Sequence, residues 1–176
     1  MAKMGHRAEA LDWIRQFWGG MIDEGATSFW EAYDTHWPTR NAHVSLQADG
    51  TSGYYVSLAH GWSAGPTAWL MEEVLGIHAT GPGFRTATLR PDLAGLAWAR
   101  GAEPTPHGPI AVDLKPGQTT VTIPDGVELS VLLPMAAGQT SVTVNGSAAK
   151  PGAMVEQGTR ASIVLNKAGT YTLEAR

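Results

Sequence analysis

The large aromatic side chains of this sequence are confined to one part of it. All seven Trp and all three Phe lie at or before Trp98, and after that position the only Trp, Phe or Tyr is Tyr171. The chain therefore divides into two parts of different packing chemistry. From about Glu103 onward the text becomes IAVDL, TTVTIPDG, VELSVLLP, TSVTVNG, ASIVLNKAG and TYTLEA. Short Val/Thr/Ile runs broken by Pro-Gly, Asp-Gly, Asn-Gly and Ala-Gly predict antiparallel strands of a β-sandwich. Residues 109–176 are read as that sandwich, and residues 101–108 (GAEPTPHG) as a linker whose two prolines forbid helix.

Residues 1–100 read as the helical part, which makes the expected class α+β. Met4, Ala8, Leu11, Ile14, Phe17 or Trp18, and Met21 recur at three- and four-residue steps and give one apolar stripe, with Gly19-Gly20 expected to loosen its end. A second helix is expected over Pro66–Leu75, because proline is tolerated in a first turn and Gly76 suits a left-handed cap. The polar, turn-rich stretch from Thr35 to Gly53 reads as a long loop. So few Trp-rich helices cannot bury their faces against one another and a small sandwich, so exposed aromatic faces and self-association are expected.

Composition removes several functions. A formal charge of −4 with only 12 Lys+Arg, scattered singly, offers no basic stripe for nucleic acid. With no cysteine there is no disulfide, thiolate metal site or Cys nucleophile. His36 and His43 lack metal-ligand spacing and read as ordinary loop histidines, and GPGF lacks the Lys and helix of a phosphate loop, so no metal or cofactor is expected. Asn145-Gly146-Ser147 fits a glycosylation acceptor but reads more simply as a hairpin turn. The first ten residues contain no apolar signal core and no apolar run is long enough for a bilayer, so a soluble chain without an export signal or membrane partner is expected; its compartment is not set.

Two stretches bear on chemistry. GWSAG, Gly61 to Gly65, matches the nucleophile elbow of serine hydrolases and would make Ser63 a nucleophile. Its partners would have to be Asp92 or Asp113 with His107, in a chain without alternating parallel strands and helices. GATSFWEAYD is the other: Phe29, Trp30 and Tyr33 surround Glu31. Such a glutamate is either an exposed helix residue beside its aromatic neighbours or the carboxylate of a sugar cleft. In a cleft, aromatic faces hold the C–H surface of a pyranose, and a carboxylate partly screened from water becomes a better proton acceptor. Spacing alone leaves both readings open.

Read in order, FWGGMIDEGATSFWEAYD, SLAHGWSAGPTAWLMEEVLGI and GPGFRTATLRPDLAGLAWARGAEPTPHGPIAVDL resemble the carboxy-terminal portion of α-L-rhamnosidases of glycoside hydrolase family 78, over roughly Met4 to Leu114. The resemblance implies that the helices are the last ones of an (α/α)6 six-hairpin barrel, followed by an antiparallel β-sandwich. It implies an inverting hydrolase of rhamnose-containing glycosides, with Glu31 as general base. His60 falls on the histidine that contacts rhamnose, Trp30 on the aromatic beside the base, and Trp62 on a further pocket wall. Ser28 stands where the motif has Thr. The general acid of the family lies well upstream of the base, and none of Glu9, Asp12, Asp23 or Glu24 has its context. The chain is thus expected to carry part of a sugar site, as a truncation, a broken gene or a free-standing descendant, and to be inactive or nearly so alone. As an alternative it is a non-catalytic module that binds carbohydrate or a partner chain.

Overall fold

The computed structural model describes residues 4–36, 57–149, 153–155 and 159–176. His43 and most of the Thr35–Gly53 stretch lie outside the described residues. The chain forms two compact units, Met1–Ala68 and Trp69–Arg176.

In the first unit, helix α1 (Arg7–Ile14) runs through a π-helical turn (Arg15–Gly19) into α2 (Gly20–Asp23). The expected stripe is buried at Leu11 and Met21 and half-buried at Ile14, Phe17 and Trp18, whereas Met4 is exposed. Gly19-Gly20 does not end the helix. Gly20 serves a different need, since a Cβ there would fall 2.5 Å from the Tyr33 ring. The helix stops at Gly25, whose φ of +93° only glycine adopts without cost. Gly25 N–H donates to Ile22 O (2.9 Å) and Ala26 N–H to Met21 O (2.9 Å), the paired bonds of a Schellman cap. After a 3-10 turn (Gly61–Ser63), helix α3 (Gly65–Trp69) begins in the first unit, and its π-helical continuation, Leu70–Leu75, belongs to the second, closed by Gly76 at φ +81°, as the sequence predicts.

The second unit is a β-sandwich. One sheet has the order β1 (Ile77–Ala79), β2 (Thr86–Leu89), β6 (Glu128–Pro134), β10 (Arg160–Leu165), β9 (Ala153–Val155). The other has β3 (Ala99–Glu103), β4 (Ile110–Lys115), β5 (Gln118–Ile123), β11 (Gly169–Ala175), β7 (Val142–Val144), β8 (Ser147–Ala149). Alternation sets the packing: Ile110, Val112 and Leu114 of β4 point inward, as do Leu129, Val131 and Leu133 of β6. They join Val121, Ile123, Val142, Ile163 and Leu173 in one core drawn from both sheets. Asn145 (φ +51°) and Gly146 (φ +77°) form the two-residue β7–β8 turn with both central residues left-handed, the hairpin geometry that Asn-Gly favours.

Two features differ from the sequence expectation. The units divide at Ala68/Trp69, and the segment read as a linker contributes Gly101–Glu103 to β3, which pairs antiparallel with β4. Residues 77–100, read as part of the helical region, supply β1, β2 and the start of β3, and β2 pairs parallel to β6. That pairing makes the sandwich not purely antiparallel. It is possible because β3, β4 and β5 of the other sheet intervene and give the long crossover that parallel neighbours require. Among the described residues the helical part comprises short segments only, and no six-hairpin barrel is formed. No described helix is long and apolar enough to cross a membrane.

Candidate active site

The described residues bring Glu31, His60 and Trp62 together within the first unit. The Schellman cap turns the chain out of α2 into the GATS stretch, and residues 28–31 then lie against residues 57–60. Glu31 N–H donates to Ser57 O (2.8 Å) and His60 N–H to Phe29 O (2.8 Å). Ser28 Oγ adds a bond to Leu58 O, so the serine standing at the motif threonine position still supplies a hydroxyl.

Within this clasp the Glu31 carboxylate is held by one oxygen. Its Oε2 accepts from Ser57 N–H at 2.9 Å and lies 3.9 Å from His60 Nδ1. Its Oε1 has no hydrogen-bond partner among the described residues. Both side chains are about one-third exposed, 31% for Glu31 and 32% for His60, so the pair is neither sealed nor free in solvent.

Trp62 is 71% exposed yet fixed. Its Nε1–H donates to Glu31 O at 2.7 Å, and its ring packs on the His60 imidazole with centroids 4.2 Å apart. An immobilised, outward indole beside a carboxylate suits stacking on a sugar. Trp30 differs: it is 4% exposed and packs on Tyr33 with centroids 6.5 Å apart. It lies beneath the surface rather than on it. Burial first, then the charges of Glu24, Asp23 and Asp34, push the Tyr33 phenol above its ordinary range.

Ser63 is not arranged as a nucleophile. Its Oγ–H donates to His60 O at 2.9 Å, a main-chain acceptor that cannot take its proton. Of its proposed partners, Asp113 pairs with Arg100 and Asp92 Oδ1 accepts from Ala94 N–H. His36 is engaged locally with Asp34, whose carboxyl is held below its usual range by the His36 main-chain N–H and then by its ring. Among the described residues no group of three His, Asp or Glu gathers as a metal site. Sequence reasoning missed Ser57: its contribution is a main-chain N–H, which side-chain identity does not reveal.

Comparison with known proteins bears on the chain's family. Residues 76–148 match the model of the bacterial α-L-rhamnosidase C-terminal domain. An α-L-rhamnosidase of Alteromonas sp. (strain LOR) is 32% identical over 118 residues, covering 66% of this chain and 11% of that protein. The fold is similar to the α-L-rhamnosidase from Dictyoglumus thermophilum (TM-score 0.69, 21% identity, 90% of this chain, 17% of that one). It is also similar to that of Streptomyces avermitilis, solved with L-rhamnose (TM-score 0.64, 23% identity, 90% of this chain, 15% of that one). The chain thus spans about a tenth of the curated relative and about a sixth of each solved one. Residues 76–148 thus belong to the family of bacterial α-L-rhamnosidase C-terminal domains, and the chain is similar to the C-terminal part of the α-L-rhamnosidases of glycoside hydrolase family 78.

Proposed function

We propose that this chain acts as the C-terminal part of an α-L-rhamnosidase-like inverting glycoside hydrolase, in which Glu31 is the general base. The observation that carries this reading is the one-sided hold on its carboxylate. Oε2 is anchored by Ser57 N–H while Oε1 has no partner among the described residues, so one oxygen fixes the group and the other is available to a water. In this proposal His60 and the open face of Trp62 contact the sugar, and buried Trp30 shapes the pocket floor from below. The helices of the first unit are assigned to the end of a six-hairpin barrel.

In the proposed single displacement, Glu31 removes a proton from a water that attacks the anomeric carbon while an acid on the opposite side protonates the departing oxygen. The two carboxyls of such a pair stand about 6.5–9.5 Å apart to admit that water. We assign the acid to another segment of a longer polypeptide of the kind the relatives represent, so this chain alone is nearly inactive on ordinary glycosides. The test is hydrolysis of 4-nitrophenyl α-L-rhamnoside by the 176-residue chain, for which release near the solvent background is expected. Turnover at ordinary enzymic rates, abolished by Glu31→Gln, would mean the chain carries its own acid.

The exposure of Met4 (73%), Ile22 (68%) and Trp13 (56%) also supports self-association through the first unit. Light scattering is expected to give a mass above that of one chain, and a monodisperse monomer would count against it.

A further inference from the structure

The outer face of the six-stranded sheet is a second surface with binding chemistry. Inward Val112, Val121 and Leu173 fill the core, so their neighbours along β4, β5 and β11 face outward. Strand register aligns these into two rows: Ala102, Ala111, Thr122, Thr170, and Arg100, Asp113, Thr120, Thr172. A concavity of about 400 Å³ lies over β3, β4 and β5, with Ala102 and Ala111 leaving room at its floor. Trp98, 62% exposed, directly precedes β3, and the two-residue period carried back from Arg100 puts it on the same face, one row beyond the Arg100–Asp113 row.

The polar groups of this face are only partly used. Arg100 reaches Asp113 through Nε alone (3.1 Å), with its side chain 71% exposed, so its Nη donors and the Asp113 Oδ1 acceptor have no other partner among the described residues. Thr120 pairs with Thr172 at 3.2 Å and Thr122 with Thr170 at 2.8 Å. Each such pair consumes one hydroxyl hydrogen and leaves the other, with free lone pairs, for a ligand.

These features select a ligand class. Opposite charges cancel at Arg100–Asp113, so neither a polyanion nor a cation is favoured, and the rows contain no large apolar side chain on which a hydrophobic helix could pack. Alternating donors and acceptors beside an exposed indole match a chain of neutral hydroxylated rings. We propose that this face binds a neutral glycan, with Trp98 stacking on the C–H surface of one ring while Arg100, Asp113 and the threonine pairs take its hydroxyls. The proposal does not rest on the role assigned to Glu31.

The test uses the full chain with three probes: mixed-linkage β-glucan, dextran and a neutral rhamnan. Native gels containing each are expected to show retardation by at least one, weakened roughly tenfold by Trp98→Ala, the size of one lost aromatic contact. Arg100→Ala is expected to weaken it as well. Because both side chains are exposed, thermal midpoints should stay unchanged, which separates lost binding from unfolding. Amide shifts on addition of the bound probe should fall at residues 98–102, 111–113 and 120–122. The proposal is overturned if none of the three retards the chain, if both variants bind as the parent does, or if the shifts fall at Ser57 and the Trp62 indole instead.

Discussion

Replacing Glu31 with glutamine is expected to lower hydrolysis of 2,4-dinitrophenyl α-L-rhamnoside by roughly 10²–10⁴-fold, the usual contribution of a positioned proton acceptor. The choice of substrate matters. Dinitrophenolate departs without being protonated, so a site that lacks its acid still needs its base, and slow turnover should persist where 4-nitrophenyl and alkyl glycosides give almost none. Glutamine keeps the side-chain length and a carbonyl oxygen that can accept from Ser57 N–H, the bond that anchors Glu31 at 2.9 Å. What it loses is the capacity to take a proton. A variant that hydrolyses the activated substrate as fast as the parent would remove Glu31 from the mechanism.

The second large effect is on stability. Gly76→Ala would place a Cβ 2.1 Å from Arg90 O and 2.8 Å from Pro91 N, both main-chain atoms that cannot rotate away. The same junction holds Arg90 N–H to Gly76 O at 2.8 Å, joining the π-helical segment to the end of β2. A left-handed φ of +81° costs about 1–2 kcal/mol for a residue with a Cβ, and forcing the backbones apart costs about as much again or more. A loss of about 3–5 kcal/mol is expected in urea denaturation of the sandwich. Gly117→Ala is the control in the same unit: its φ is +76°, but nothing lies within 4 Å of the added atom, so only the conformational cost applies. Equal losses for the two variants would show that the close approach is not what requires glycine at position 76.

The sandwich was legible where inward and outward residues alternate over six or seven positions between turn dipeptides, as in β4, β5 and β6. Strands β1 and β2, three and four residues long, are too short to show a clear period, and they lie in the tryptophan-rich part of the sequence. Reading prolines 104 and 106 as a linker hid β3, which ends at Glu103, one residue before them. The cap at Gly76 was readable because its left-handed φ is a local demand. Gly20 was not, because its reason is a ring thirteen residues away in sequence.

At the candidate site the sequence identified the carboxylate and its aromatic setting but not the division of labour among the rings. The resemblance assigned both Trp30 and Trp62 to one sugar pocket. The fold gives them opposite exposures, 4% and 71%, and ties the exposed Trp62 indole N–H to the Glu31 carbonyl. The main-chain donor of Ser57, twenty-six residues from the carboxylate it anchors, has no signature in side-chain chemistry.

The account's central claim, that Glu31 activates water for direct displacement at the anomeric carbon, is tested most directly by the configuration of the sugar first released from the activated α-L-rhamnoside. Proton NMR recorded during turnover by the parent chain, with the Glu31→Gln variant alongside, is expected to show β-L-rhamnose appearing before mutarotation and little release by the variant. Release of α-L-rhamnose first, or of either anomer at an equal rate from both proteins, would contradict it.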